Sequence, residues 1–411
     1  MNKLNRVSKK MSIAMFGQKR IPSREGGVEI VVEELSTRMV AQGYDVVCYN
    51  RKGHHVSGKD FDCKKLKLYK GVKLKDTFTI DKKGLAAVTA SASAALRTAF
   101  GRYDVVHIHA EGPAFMCWLP KLFGKKVIVT VHGLDHQRAK WGKFASSYIM
   151  TGEKNAVRFA DEIIVLSKNV QKYFRDTYNR ETVFIPNGVS KPKIIEAKEI
   201  TDKFGLHKDE FILFLGRIVP EKGIKYLVEA FKNVETDKKL VIAGGSSDTD
   251  SFMKELKELA KSDGRVIFTG FIQGRILEEL YSNAYVYTLP SDLEGMPLSL
   301  LEAMSYGNCC LVSDIDECTE VVENKAVIFK RSNMADLKDK LQLLCDDRKL
   351  VEDYKANASD FICGKYSWDD VVEQTIGIYR LKEHGKQKVQ LNKRIENNSV
   401  YRNYDDALKS K

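Results

Sequence analysis

Phe211-Ile212-Leu213-Phe214-Leu215-Gly216-Arg217-Ile218-Val219-Pro220-Glu221-Lys222-Gly223 is the stretch whose reading decides the fold. Five apolar residues end in a glycine. Arg217 and Lys222 stand between Gly216 and Gly223, and Tyr226, Leu227, Ala230 and Phe231 then recur at helical spacing. The apolar run reads as a strand buried on both faces of a parallel sheet. Strand, glycine-bounded loop and helix are the repeating unit of a doubly wound α/β sheet, which takes ligands at the carboxyl ends of its strands. Arg grips a phosphate with two parallel N–H donors and Lys adds a compact charge. Either cation by itself would read as ordinary surface charge. The strand–loop–helix setting makes the pair a candidate anion site.

A second stretch lies further along: Ser291-Asp292-Leu293-Glu294-Gly295-Met296-Pro297-Leu298-Ser299-Leu300-Leu301-Glu302-Ala303. Glu294 lies in a Gly/Pro-broken loop. Glu302, eight positions on, lies one turn inside the helix that the loop opens. Pro297 suits the first helical position, where its missing N–H would have had no partner. The amides of Met296, Leu298 and Ser299 then point out of a helix N-terminus, a ready anion site. Phosphate for the amides and hydroxyls for the two carboxylates together suit a sugar nucleotide. The plain alternative is a loop with two solvated glutamates.

Working outward, strand and helix patterns alternate along the chain. Strands are expected at 12–16, 45–49, 105–108, 126–131, 163–167 and 183–185, then at 211–215, 240–243, 265–268, 285–289, 309–313 and 327–329. A helix is expected from Val28 to about Gln42, ended by Gly43. Pro186-Asn187-Gly188 turns the chain before the polar run Lys191 to Glu199, so a domain boundary falls near residue 190. The division expected is 1–190, 191–365, a helix within 366–384 running from Ser367-Trp368 to about Lys382, and a polar tail, 385–411. A chain of 411 residues favours two domains over one core.

Composition excludes several classes. With 43% hydrophobic and 30% charged residues the chain is globular, and no apolar run is long enough to cross a membrane. The basic N-terminus lacks an apolar segment behind it, which argues against secretion. The eight cysteines show no metal spacing and read as reduced, cytoplasmic thiols. The net charge of +12 is uneven: residues 1–189 carry 33 Lys+Arg against 17 Asp+Glu, leaving 34 against 38 for the rest. The densest part, Arg51 to Lys83, holds Lys64, Lys65, Lys67, Lys70, Lys73 and Lys75. It suits an anionic membrane face or an acidic acceptor, or is a solvated surface. Without interleaved aromatic platforms it does not suit nucleic acid.

The first half carries weaker signals. Gly26-Gly27 before a helix lets backbone approach a ligand. His132 follows an apolar strand and ends on a loop, where it is either a ligand contact or a structural hydrogen-bonder. His107, His109 and Glu111 invite a zinc reading, discounted for want of a third firm ligand nearby. Asp248-Thr249-Asp250 is an Asp-x-Asp on an expected exposed loop and is discounted as well.

Together these motifs resemble the retaining GT-B glycosyltransferases of family 4, over nearly the whole chain. The matching residues are Gly26-Gly27, Val131-His132-Gly133, Ile185-Pro186-Asn187-Gly188-Val189, Gly216-Arg217 with Glu221-Lys222-Gly223, and the pair Glu294 and Glu302. The stretch from Gly17 to Glu29 and Lys140-Trp141-Gly142-Lys143-Phe144 look like a bacterial subgroup making exopolysaccharide, capsule or O-antigen. The resemblance implies two Rossmann-like domains facing a central cleft, the first for the acceptor and the second for the nucleotide-sugar.

It also implies roles. Arg217 and Lys222 bind the donor diphosphate, Glu302 the ribose hydroxyls, and Glu294 the donor sugar. Gly295, Met296, Leu298 and Ser299 lie along sugar and β-phosphate, Gly26 and Gly27 close over the diphosphate, and His132 meets the sugar near its reacting carbon. The nucleobase is expected near Phe271-Ile272. Pro297, where many relatives carry Gly, and Asn308-Cys309-Cys310 depart from the family pattern. No metal and no cofactor is expected. The partners implied are a nucleotide-sugar donor, UDP-sugar favoured, and a glycan or lipid-diphosphate-linked acceptor at the cytoplasmic membrane face. A UDP-sugar 2-epimerase of the same architecture and a non-catalytic sugar-nucleotide-binding module are the competing readings. An epimerase would act on the donor with no acceptor present.

Overall fold

The computed structural model describes residues 10–53, 66–82, 84–137, 142–246 and 250–381. Lys64, Lys65, Lys83, Lys140, Trp141, Asp248, Thr249 and the tail 385–411 lie outside the described residues.

The first domain runs β1 (Ser12–Phe16), α1 (Gly27–Ala41), β2 (Asp45–Asn50), β3 (Leu68–Tyr69), β4 (Val72–Asp76), α2 (Leu85–Phe100), β5 (Val105–His109), α3 (Glu111–Ala114), α4 (Trp118–Leu122), β6 (Lys126–Val131), α5 (Lys143–Phe159), β7 (Glu162–Val165), α6 (Lys168–Tyr178) and β8 (Val183–Phe184). Its sheet has the order β3-β4-β2-β1-β5-β6-β7-β8 and is parallel except for β3. The second domain runs α7 (Glu199–Phe204), β9 (Phe211–Leu215), α8 (Ile224–Phe231), β10 (Lys239–Ala243), α9 (Asp250–Ala260), β11 (Val266–Gly270), α10 (Arg275–Asn283), β12 (Val286–Leu289), α11 (Leu298–Ser305), β13 (Cys309–Ser313), α12 (Asp316–Val322), β14 (Val327–Phe329), α13 (Met334–Asp346) and α14 (Arg348–Lys365). A last helix, α15 (Trp368–Arg380), follows.

The second sheet, β11-β10-β9-β12-β13-β14, is parallel throughout. Strand order reverses between β9 and β12, and between β1 and β5 in the first sheet. Those are the switch points where the loops leaving adjacent strands part and leave a crevice. Phe211, Ile212, Leu213 and Phe214 are fully buried, as a strand covered by helices on both faces requires. Each such side chain contributes about 1.5–3 kcal/mol by leaving water.

Two details differ from expectation. Pro297 is not the first helical residue. Its φ of −76° and ψ of 99° are extended, and its carbonyl accepts the N–H groups of Leu300 and Leu301, so Pro297 caps α11 from outside. The Lys-rich region, read as a charged patch for an anionic membrane face or an acidic acceptor or as solvated surface, contributes β3 and β4. Val72 and Leu74 point into the core while Lys73 and Lys75 face outward, the alternation of a half-buried strand. Lys73 pairs with Asp45 at 2.7 Å, Lys70 lies 3.8 Å from Glu33, and the Lys75 ammonium donates to the Tyr103 hydroxyl at 3.3 Å.

The two domains are joined by two adjacent passages of chain. Val189 bridges Ser367 in parallel, and its amide donates to the Tyr366 carbonyl at 2.9 Å. A Cβ on Gly188 would stand 2.6 Å from the Trp368 backbone, so only glycine lets the passages touch. After this crossing α15 lies on the first domain. Lys126 Nζ donates to the carbonyls of Ile378 and Leu381, both at 2.6 Å, and Arg38 pairs with Asp369 at 2.5 Å.

Candidate active site

The loops leaving both switch points meet face to face. Gly295, on the loop after β12, lies so close to the loop after β6 that a Cβ there would overlap the His132 carbonyl oxygen. A Cβ on Gly27 would touch Leu298 at 3.5 Å. Arg24, on the loop after β1, reaches across to Glu302 on α11, with Nη2 to Oε1 at 2.8 Å. The other Glu302 oxygen accepts from the Tyr281 hydroxyl at 3.1 Å. Burial pulls the Arg24 pKa down, but the neighbouring Glu302 outweighs it and the guanidinium is held above its ordinary value.

The loop after β1 is rigid by construction. Gly17 has a φ of +118°, and a Cβ there would overlap the His109 carbonyl oxygen. Asn50 takes the Ile21 N–H at 3.2 Å and donates back to its carbonyl at 3.0 Å. Glu29, buried in the first turn of α1, accepts the Lys19 amide at 2.7 Å. Glycines 26 and 27 are thereby held at the cleft.

In the second domain the loops after β9, β10 and β11 are stitched to one another. The Gly216 amide donates to the Ala243 carbonyl at 3.0 Å, Ile218 to Gly245 at 3.0 Å, and Gly244 to Gly270 at 2.9 Å. This stitching fixes the half-buried Arg217 at the carboxyl end of β9, and Phe271 and Ile272 just past β11. Lys222 is buried and its ammonium is bonded to Glu294 Oε1, which also accepts from Ser291 Oγ at 2.7 Å. Two expected site residues 72 positions apart thus form one ion pair. At the α11 N-terminus the first-turn amides of Leu298 and Ser299 lack intrahelical acceptors by helix geometry. The Ser299 hydroxyl takes the Tyr287 O–H at 2.8 Å. Met296 precedes the helix, and its carbonyl and sulfur accept from Asn187 at 3.3 and 3.0 Å. It anchors the inter-domain linker, and its amide is not one of the helical donors expected of it.

Of the expected residues, Gly27, His132, Gly295, Leu298 and Glu302 therefore meet across the cleft. Lys222 and Glu294 pair beside it, Arg217 lies on the neighbouring loop, and Phe271 and Ile272 lie at the edge strand. Arg24 and Tyr281, which bracket Glu302, were not singled out from the sequence. Arg24 stands inside the Gly17–Glu29 motif and carried a signal; Tyr281 gave none.

Histidines continue inward from the cleft. His132 Nε2 lies 3.1 Å from His109 Nδ1, and the His109 and His107 rings are 4.1 Å apart. His107 contacts Thr130 Oγ1 at 2.7 Å and the Tyr379 hydroxyl of α15 at 2.6 Å. Burial pushes the His107 pKa down to about 3 and that of His109 well down, so both rings are neutral. His107 and His109 bond to groups other than Glu111, so the discounted zinc reading of those three finds no shared centre. Between the domains a cavity of about 430 Å³ is lined by Leu134, Asn169, Glu294, Asp314, Glu317 and Arg331, among others.

Two family matches cover different halves of the chain. Residues 25–191 match Glycosyltransferase Family 4, and residues 196–361 match Glycosyl transferases group 1. Among curated relatives, an uncharacterised glycosyltransferase of Methanocaldococcus jannaschii is 26% identical over 68% of this chain and 76% of its own. The alpha-D-kanosaminyltransferase of Streptomyces kanamyceticus is 24% identical over 67% and 76%. The N,N'-diacetylbacillosaminyl-diphospho-undecaprenol alpha-1,3-N-acetylgalactosaminyltransferase of Campylobacter jejuni is 28% identical over 50% and 57%. The solved Anabaena HepE in complex with UDP-glucose shares the fold, with a TM-score of 0.74 at 16% identity over 90% of this chain and 99% of its own. With both halves matched and the whole architecture shared, the chain belongs to the glycosyltransferases of GT-B fold.

Proposed function

We propose that this glycosyltransferase moves a hexose from a UDP-sugar to a hydroxyl of a glycan or lipid-diphosphate-linked acceptor, with retention of configuration, in the making of a cell-surface polysaccharide. The observation that carries the reading is the facing of Gly27, His132 and Arg24 from one domain with Gly295, Leu298 and Glu302 from the other. A donor lying along α11 would be enclosed from both sides there.

Arg217, Lys222 and the amides of Leu298 and Ser299 neutralise the diphosphate as the glycosidic bond breaks. Preorganised donors of this kind stabilise charge where it develops, and removing one typically costs about 10²–10³ in rate. Glu302 takes the ribose hydroxyls, Glu294 the sugar hydroxyls, and the base lies by Phe271 and Ile272. His132, whose Nε2 faces His109, contacts the sugar near the reacting carbon; the acceptor hydroxyl attacks from the leaving-group face. Lys222 exchanges part of its bond to Glu294 for the phosphate, and Arg24 releases Glu302 as the donor enters. UDP is favoured because the fold-sharing HepE holds UDP-glucose. A lipid-diphosphate acceptor is favoured by the Campylobacter relative.

Such an acceptor would hold the first domain near an anionic membrane surface, a contact supported by its lysines and by exposed Leu96, Phe100, Leu122 and Phe123. Binding to anionic liposomes that weakens with salt is the expected sign; none at low salt removes the membrane from the proposal. The donor reading is tested by thermal stabilisation with UDP, GDP, ADP and their sugar conjugates. A clear rise with UDP compounds that is lost in Arg217→Ala is expected. No rise with any nucleotide overturns it. Interconversion of the donor sugar with no acceptor present would make the protein an epimerase instead.

A further inference from the structure

The loop that carries His132 runs on into a buried cluster that sugar transfer does not use. Glu111 opens α3, His136 lies on the turn Asp135–Gln137, and Glu153 lies on α5. Both glutamates are fully buried, at 1% and 0% exposure. His136 Nδ1 lies 3.4 Å from Glu153 Oε2 and 3.9 Å from Glu111 Oε1. One ligand atom from each residue lies within 4.8 Å of the other two. Those inward atoms, Glu111 Oε1, His136 Nδ1 and Glu153 Oε2, have no hydrogen-bond partner.

The outward oxygens are held by contrast. The Asp135 amide donates to Glu111 Oε2 at 2.7 Å, and the Tyr173 and Tyr178 hydroxyls donate to Glu153 Oε1 at 2.9 and 2.5 Å. Orienting one face of each ligand while leaving the other bare is what an outer shell does around a metal. The backbone is shaped for the meeting. A Cβ on Gly152 would overlap the Glu111 carbonyl oxygen, and Ala110 holds a φ of +76° just before Glu111. Two carboxylates facing each other in the interior demand a cation or a shared proton, since an uncompensated buried charge costs several kcal/mol.

We propose that Glu111, His136 and Glu153 bind one divalent transition-metal cation, Zn²⁺ by preference, which pins the His132 loop to α3 and α5. One imidazole nitrogen with two carboxylate oxygens suits Zn²⁺ or Mn²⁺. Bonds of about 2.0–2.2 Å in a tetrahedral site set ligand atoms roughly 3.3–3.6 Å apart, so the three need close by only tenths of an ångström to about one ångström. A water would take the fourth position. The site is separate from the residues assigned to the donor diphosphate and stands whether or not that assignment does.

The test is metal analysis of the full-length, untagged protein purified without chelator. The protein is then stripped with a chelator and titrated with ZnCl₂, MnCl₂ and MgCl₂, following melting temperature and binding heat. About one bound Zn²⁺ or Mn²⁺ per chain is expected, with a melting temperature that falls on stripping and returns with the metal. Glu153→Gln and His136→Ala should abolish the metal-dependent rise. A single cooperative melting transition and an unchanged far-ultraviolet circular dichroism spectrum, read in parallel, show that these variants are folded. Wild-type protein that retains no metal and gains no stability from any of the three ions overturns the proposal, leaving a carboxyl pair that shares a proton. Metal binding unchanged in both variants overturns it equally. Should both variants fail to fold, the wild-type titration alone decides.

Discussion

The molecule buries glutamates at two places and treats them differently. In the second domain Glu294 has its own cation, Lys222, and a hydroxyl, Ser291, so the site is electrically closed before any ligand arrives. In the first domain Glu111 and Glu153 face each other with one imidazole between and bare inward atoms. A paired carboxylate can trade its partner for a ligand at little cost, because a charge is present throughout. An unpaired pair must acquire something. The first arrangement suits a substrate that comes and goes, the second a bound ion or a proton that stays.

Cutting the pair in the second domain should have the largest effect. Lys222→Ala strands Glu294 in the interior and, on the role proposed for Lys222, removes a cation from the diphosphate, so a fall in turnover of about 10²–10³ is expected in a nucleotide-release assay. Turnover within about tenfold of wild type would break the contrast. Gly295→Ala comes next. Its Cβ meets the His132 carbonyl, so the faces cannot close, and about a hundredfold loss of turnover with an unchanged melting temperature is expected. His132→Ala should lower activity by roughly tenfold, the loss expected if one hydrogen bond of about 1.4 kcal/mol to the sugar strengthens only in the transition state; a variant keeping most of its activity denies His132 that place. Arg24→Ala should have the smallest effect. It frees Glu302 from a half-exposed ion pair worth about 1 kcal/mol or less, so UDP should bind up to about fivefold more tightly by calorimetry. Weaker binding would mean that Arg24 stays on the donor rather than leaving it.

The fold was readable because the second domain's strands are short continuous apolar runs between glycine and polar breaks. Strands β13 and β14 fall at the residues expected. β4 was hidden: its Val-Lys-Leu-Lys alternation is a strand signal, but it lies inside a lysine-dense stretch that reads first as charge. The site was readable as motifs and not as pairs. Nothing in the sequence ties Lys222 to Glu294 or Arg24 to Glu302, because such pairing is made by loops from different strands and domains. Glu153 did leave a trace. Gly152 beside it in mid-helix lowers helix stability by about 1 kcal/mol relative to alanine, and a glycine kept there marks a close approach.

The double crossing between the domains has a mechanical consequence. One strand of linker would be a swivel, free to turn and tilt in any sense. Two passages touching at Val189 and Ser367, with Gly188 packed on Trp368, act instead as a door hinge with two knuckles. Twisting one domain against the other would shear the contact, whereas swinging about the line joining the passages leaves it whole. A hinge of that kind would favour one motion over the others, a swing that opens and shuts the face where Gly295 meets His132.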